Sequence, residues 1–302
     1  MKRFLFQTLI FILVVLASFA FIASRIDGCA DPHYLKFTSP KQKGLILGTS
    51  RAAQGLIPSI IKEKTGHHLY NYAFTVVHSP FGPVYYNSTV KKVDPTTKNG
   101  LFIVTIDPWS ISADRKNPED ANNFREKNLC LANTPEVAMN PNFYYLFNNN
   151  SFGKYAKPFL VKDNSVCLDP DGRLEVSLDL GDSAAIASRV KQKEVHYRAN
   201  MLPTNSFSNL RYEYLLKTIV HLKKYGKVYL VRIPIHPLIM QIEQELMPDF
   251  NLRIRKAVET ADGYLDLTSL NEVLSYTDGN HLDNISSKKV SEKVGEWISS
   301  IQ

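Results

Sequence analysis

Lys43–Gly44–Leu45–Ile46–Leu47–Gly48–Thr49–Ser50–Arg51 is the stretch on which the fold reading turns. A short apolar run, Leu45 to Leu47, stops at a glycine, and small polar residues follow. This is the pattern of a buried strand that presents Ser50 at a turn beyond its carboxyl end. In open α/β sheets that edge is where ligands bind. A serine there is either an ordinary turn residue or a nucleophile, and only a base supplied from elsewhere makes it the second.

Reading outward, Pro58 stands where it can open a helix, with Ile57, Ile60 and Ile61 on one face and Gly66 as the stop. Leu69–Phe74 reads as a second strand and Phe81–Val93 as a second helix. The β-branched run Leu101–Ile106 is a third strand, ending at Asp107-Pro108-Trp109. A helix is expected near 205–225, with Tyr212, Leu215, Leu216, Ile219 and Val220 sharing a face. A strand at Val228–Ile233, a helical stretch over 238–261, a short strand at Tyr264–Leu267 and a last helix from Ser286 to Ile301 follow. Strands alternating with helices at this interval predict a three-layer α/β/α domain over 43–302, with a mainly parallel sheet of flavodoxin-like type. Residues from about 110 to 204, rich in Asn, Asp, Pro and Lys, break the rhythm and are too many for a structureless loop, so they read as an inserted subdomain.

Upstream, Lys2 and Arg3 precede Phe4–Ala23, an uncharged apolar segment of the length that spans a bilayer. The positive end is expected to stay in the cytoplasm, which puts the rest of the chain outside. A cleaved signal peptide is the rival reading, with Ser18-Phe19-Ala20 as its small-residue site. Ile26-Asp27-Gly28-Cys29 faintly resembles a lipoprotein box, but Asp27 and the distance of Cys29 from the apolar run argue against it. Residues 24–42, with Asp31-Pro32 and Ser39-Pro40 as breakers, read as a linker.

The 302 residues are 44% hydrophobic and 22% charged, an ordinary globular balance. The net charge of +7 is spread along the chain rather than gathered in one block, so no nucleic-acid partner is expected. Of the three cysteines, Cys130 and Cys167 lie in the same middle region and are placed to pair under oxidising conditions, leaving Cys29 over. No Cys-x-x-Cys or Cys/His metal spacing occurs, and His67-His68 is adjacent rather than i,i+4. No metal or cofactor is expected.

Just before the last helix comes Thr277-Asp278-Gly279-Asn280-His281-Leu282. An Asp three residues ahead of a His on a loop can accept from one ring nitrogen and leave the other to take a proton from a serine. The order Ser50, Asp278, His281, with the serine after the first strand and Asp-x-x-His before the final helix, resembles the SGNH (GDSL-like) hydrolase superfamily. It is most similar to the membrane-anchored, extracytoplasmic branch that includes the D-alanyl-lipoteichoic acid protein DltD and the alginate O-acetylation proteins. Gly48-Thr49-Ser50-Arg51 stands where that superfamily has Gly-Asp-Ser. The resemblance implies Ser50 as nucleophile, His281 as general base and Asp278 as its orienting partner. It further implies an acylated envelope glycan as substrate and a membrane acyl-donor protein as partner.

The superfamily's remaining oxyanion donors, a glycine and an asparagine, are missing. Asn71 and Asp107 stand where they are expected, and a carboxylate at Asp107 would repel an oxyanion. Arg51 is expected either to hold an anionic substrate group or to pair with an acid. His236, between Pro234-Ile235 and Pro237 at a strand end, is a further candidate to line the site. The aromatic residues of 143–155 would stack on sugars or pack under the insertion. The sequence therefore leads to an esterase or acyltransferase, with a non-catalytic glycan-binding or assembly module as the alternative.

Overall fold

Leu45–Leu47 forms strand β1 in a five-stranded sheet that also contains β2 (Tyr70–Asn71), β3 (Gly100–Thr105), β8 (Gly226–Arg232) and β9 (Gly263–Asp266). The computed structural model describes residues 1–149, 165–178 and 181–302. The strand order is β2-β1-β3-β8-β9 and every pairing is parallel. Leu45 lies opposite Phe102, and Gly100 to Thr105 run in register with Gly226 to Val231. Chain order reverses between β1 and β3, so the crevice beyond their carboxyl ends is the topological switch point where doubly wound sheets hold ligands.

The alternation of side chains along each strand makes three layers. Leu45, Leu47, Phe102, Val104, Val228 and Leu230 turn to one face and pack with Phe37, Tyr85, Leu215, Ile219 and Leu222. Those partners come from α2 (Pro32–Thr38), α5 (Pro83–Lys92) and α9 (Asn209–Leu222), in our numbering of the described helices. Ile46, Leu101, Ile103, Tyr229 and Val231 turn to the opposite face. There they meet α3 (Ser50–Gly55), α4 (Pro58–Thr65) and α13 (Asn284–Ile301) through Ala52, Ala53, Ile61, Val290, Val294 and Ile298. Burial on both faces is why these strands read as unbroken apolar runs.

Several boundaries differ from expectation. The 69–74 strand shrinks to Tyr70–Asn71. Residues 205–207 form β7 rather than helix, and α9 starts after the N-cap Ser208. In α9 the core stripe is Leu215, Ile219 and Leu222, while Val220 points to solvent. The 238–261 stretch is broken at Pro248, whose ring restricts the residue before it, and again at Ile254, giving α10 (Pro237–Leu246), α11 (Phe250–Arg253) and α12 (Arg255–Thr260). Between β3 and α9 the chain enters through β4 (Ser112–Asp114) and returns through β7, and these two strands pair antiparallel. This segment also carries α6 (Cys130–Asn133), α7 (Phe143–Asn149), the hairpin of β5 (Val166–Leu168) with β6 (Leu174–Val176), and α8 (Ser183–His196).

The expected linker at 24–42 is instead part of the core. Asp31 caps α2 by accepting from the His33 and Tyr34 N–H groups, and Pro32 takes its first turn. Lys36, itself buried, donates to the carbonyls of Asn71, Ala73 and Gly172 at 2.7–2.8 Å, so one ammonium ties α2 to the end of β2 and to the middle segment. The helix before it, α1 (Lys2–Ser24), is long and apolar enough to cross a membrane, and its side chains from Phe4 to Leu16 are largely exposed.

The cysteine pairing is a second correction. Cys29 bonds to Cys167, and Cys130 is buried and takes no part in the bridge. The reason is local: the Leu168 N–H donates to the Gly28 carbonyl, which lays β5 against the segment that follows α1, whereas Cys130 opens α6 on another part of the core. The Cys29 thiol is thus spent in the bridge, which removes the lipoprotein-box reading. Replacing both bridge cysteines by serine removes a crosslink spanning 138 residues. Denaturant titration should then show a stability loss of about 2–4 kcal/mol. Peptide mapping without reductant should recover Cys29 linked to Cys167 and only Cys130 alkylated.

Candidate active site

The chain turns sharply at the end of β1. Gly48 has φ 146°, in the region that favours glycine, and a Cβ there would meet Thr105 Oγ1 at 1.8 Å. Its N–H donates to Tyr85 Oη at 3.1 Å and its carbonyl accepts from Ser79 Oγ at 2.7 Å, so the turn is held from two sides. Thr49 occupies the N-cap position and Ser50 is the first residue of α3, a helix that the sequence had not announced. As a first-turn residue, Ser50 has an N–H with no acceptor inside its own helix.

The histidine arrives from the opposite end of the chain. Tyr276 and Leu282 bridge to close a loop, and Gly279, at φ 84°, lets it reverse. Asp278 Oδ1 accepts from the backbone N–H groups of Asn280 and His281, both at 3.0 Å. The same carboxylate lies 3.0 Å and 3.1 Å from His281 Nδ1. An ionised carboxylate can only accept, so Nδ1 carries the proton and Nε2 offers its lone pair. Nε2 lies 2.8 Å from Ser50 Oγ. Lys193 on α8 closes the set, its Nζ 2.9 Å from Asp278 Oδ2. Burial works to raise the Asp278 pKa, but the His281 hydrogen bond and the Lys193 ammonium outweigh it and hold the carboxyl well below the usual range.

Beneath the serine lies a buried ionic cluster. Arg51 Nη1 is 2.6 Å from Glu243 Oε1 and 3.9 Å from Asp107 Oδ2. Glu243 also faces Arg232 at 3.5 Å, and Arg232 reaches Asp266 at 3.7 Å. Burial pushes the Glu243 carboxyl up, and the two guanidiniums oppose it. The other Arg51 donors, Nε and Nη2, hold Asn280 Oδ1 at 3.0 and 2.7 Å. Guanidinium has no acceptor, so this fork fixes which end of the amide is oxygen. The Asn280 Nδ2 then points toward the reaction zone, 3.4 Å from His281 Nε2.

The structure therefore brings Ser50, Asp278 and His281 together, and engages the other expected residues in structural contacts around them. Arg51 pairs with acid and is buried. Asn71 spends its amide N–H groups on the Ala52 and Leu56 carbonyls, pinning the end of α3, so it has no donor for an oxyanion. Asp107 caps the 3₁₀ turn Pro108–Ile111 by accepting from the Ser110 N–H. His236 caps α10, accepting the Leu238 N–H on Nδ1, and packs edge-on against Tyr276; burial lowers its pKa. Sequence reasoning missed Asn280, Glu243 and Lys193. Asn280 was within reach, lying inside the Asp-x-x-His motif; the other two had no local signal.

Sequence comparison finds no matching protein family and no matching curated relative. Among solved structures, an inhibitor-bound aryl esterase of M. smegmatis is similar over 86% of this chain and 100% of its own, with a TM-score of 0.36 and 9% identity. So slight a likeness carries no functional argument, and the geometry alone supports the reading.

A carboxyl whose folded pKa is depressed contributes stability that is present above its unfolded value and lost as pH falls toward the folded one. Between about pH 5 and about pH 2, the wild-type chain should lose more stability than Asp278→Asn, measured by denaturant titration at each pH.

Proposed function

We propose that this chain is a membrane-anchored serine esterase or O-acyltransferase of SGNH type, acting on ester-linked acyl groups of an envelope or exported polysaccharide. The observation that carries the reading is the 2.8 Å contact between Ser50 Oγ and a His281 ring whose other nitrogen is held by Asp278. In the first half-reaction Ser50 Oγ attacks the ester carbonyl while His281 Nε2 takes its proton. Asp278 stabilises the imidazolium, and Lys193 keeps Asp278 ionised and in place. Collapse of the tetrahedral intermediate transfers the acyl group to Ser50 and releases the sugar hydroxyl, protonated by His281. Water then yields hydrolysis, or a second sugar hydroxyl yields transfer, by the same steps reversed.

The developing oxyanion needs donors other than the glycine and asparagine of the resembled superfamily. The Ser50 N–H is one. We assign the second to Asn280 Nδ2, the one side-chain amide in this set aimed at the serine–histidine contact and locked there by Arg51.

The envelope setting rests on three features. The segment α1 is bilayer-length and begins with Lys2 and Arg3, which favours a cytoplasmic N-terminus and an extracytoplasmic body. The Cys29–Cys167 bridge fits an oxidising compartment. Phe143 and Phe147 on α7 stack on Phe19 of α1 at 6.5 and 5.6 Å, and with Tyr144 they expose aromatic rings beside the anchor. Those three exposed rings suit an interfacial belt, whereas Tyr145 on the same helix is buried in the core against Tyr34 and Phe37; the cluster from residue 150 on lies outside the described residues. The glycan substrate and the acyl-donor partner follow from the resemblance.

A fluorophosphonate probe should label the full chain in detergent, and Ser50→Ala should abolish both labelling and turnover of p-nitrophenyl acetate. Asp278→Asn should cut kcat by about 10⁴-fold. Labelling that survives Ser50→Ala overturns the assignment, and glycan binding without turnover establishes the non-catalytic alternative. Asn280→Ala should lower kcat by about 10²–10³-fold with KM little changed. Unchanged kcat removes Asn280 from the oxyanion site while leaving Ser50 in place.

A further inference from the structure

His33, His78 and Cys130 come from three separate parts of the chain and meet away from the serine. His33 lies in the first turn of α2, His78 in the 75–79 turn that follows β2, and Cys130 at the start of α6. One potential ligand atom from each lies within 4.8 Å of the others, with Cys130 Sγ 4.0 Å from His33 Nδ1. The two imidazoles meet edge to face with centroids 4.7 Å apart. This is the one such His/Cys group among the described residues.

We propose that His33, His78 and Cys130 form a binding site for a zinc-class divalent cation. Imidazole nitrogen and thiolate sulfur are the donors such ions select over oxygen-seeking Mg²⁺ or Ca²⁺. With Zn–N near 2.0–2.1 Å and Zn–S near 2.3 Å, ligand atoms of a tetrahedral site stand about 3.3–3.6 Å apart. The observed spacing is wider, so the proposal requires the three side chains to close on the ion as it enters. A second observation concerns the shell behind the ligands. His78 Nδ1 is 2.7 Å from Thr75 Oγ1, which fixes the ring and leaves Nε2 as the nitrogen to ligate, as the outer hydrogen bonds of metal-bound histidines do. His33 is held on its backbone side by the Asp31 cap and on its ring by Phe74, edge-on at 5.4 Å.

A cation here would join the segment after the anchor to the sheet and to the middle segment. It would also brace the serine turn, because the 75–79 turn includes Ser79, whose hydroxyl holds the Gly48 carbonyl. The sequence showed no metal signature because residues 33, 78 and 130 are each isolated in the chain. Metal binding requires the thiolate, so protons leave as the ion enters.

The test uses the full, untagged chain in detergent, without thiol reductant, so that Cys29 and Cys167 stay bridged and Cys130 is the cysteine outside the disulfide. After chelator treatment, Zn²⁺ should bind one per chain. Co²⁺ in its place should give the near-ultraviolet charge-transfer absorption of a cobalt–thiolate bond. Cys130→Ser should abolish that absorption, and Thr75→Val, which leaves all three ligands in place, should weaken Zn²⁺ binding by about 10–100-fold. Ser50→Ala should bind as wild type does, so failure of the esterase reading leaves this one standing. Absence of stoichiometric Zn²⁺ binding in the wild-type chain, or a cobalt–thiolate band that persists in Cys130→Ser, overturns the proposal.

Discussion

The buried guanidinium of Arg51 is the interaction on which the site depends. It follows Ser50 directly in the chain, yet it reaches inward to Glu243 on α10 and across to Asn280 on the histidine loop. One side chain therefore couples the strand that supplies the serine, the helix after β8, and the loop that supplies the histidine. A buried pair of this kind contributes little net stability, because desolvation consumes much of its Coulomb gain, but loss of one partner is costly. Its value here is orientation. With the Asn280 oxygen held by two Arg51 donors, the amide nitrogen is turned the other way, to within 3.4 Å of His281 Nε2.

The doubly wound sheet places these groups for a simple reason. Parallel strands buried on both faces end together at one edge, and the two-way crossover from β1 opens a crevice there. Ser50 follows β1, Asp107 follows β3, and the Pro234–Pro237 segment follows β8, so every strand end in the centre of the sheet feeds the same region. The last contribution, the loop from Tyr276 to Leu282, comes after β9 and is clamped between its own bridge and the capped start of α13. At the site itself, Gly48 and Gly279 hold backbone conformations that other residues resist.

The middle of the chain shows where local reading fails. Residues 110–204 were legible as an interruption, and pairing of β4 with β7 joins the ends of that interruption. That Lys193 within it would reach Asp278, 85 positions later in sequence, had no local trace, since a lysine on an amphipathic helix looks like any solvated charge. Cys29 and Cys130 were misassigned for the same reason. Thiols pair by the meeting of backbones, and the meeting of Gly28 with Leu168 is a tertiary event. The 24–42 segment looked like a linker because its breakers are dense, yet those breakers, Asp31 and Pro32, are the cap and first turn of a helix.

By itself, the sequence determined the layered α/β class, the bilayer-length N-terminal segment and the Ser50, Asp278 and His281 set. Each is written in short-range form: unbroken apolar runs, an uncharged apolar stretch, and an Asp-x-x-His spacing that one turn can fold. Tertiary structure alone decided what surrounds that set. Asn71 was claimed by the end of α3, Asp107 by its own 3₁₀ turn, Arg51 by Glu243, and the Asn280 amide nitrogen was left beside His281 Nε2. The physical reason is that a polar side chain's partner is chosen by whichever unsatisfied group is buried beside it. For Arg51 that neighbour is set by the packing of segments 192 and 229 residues further along the chain.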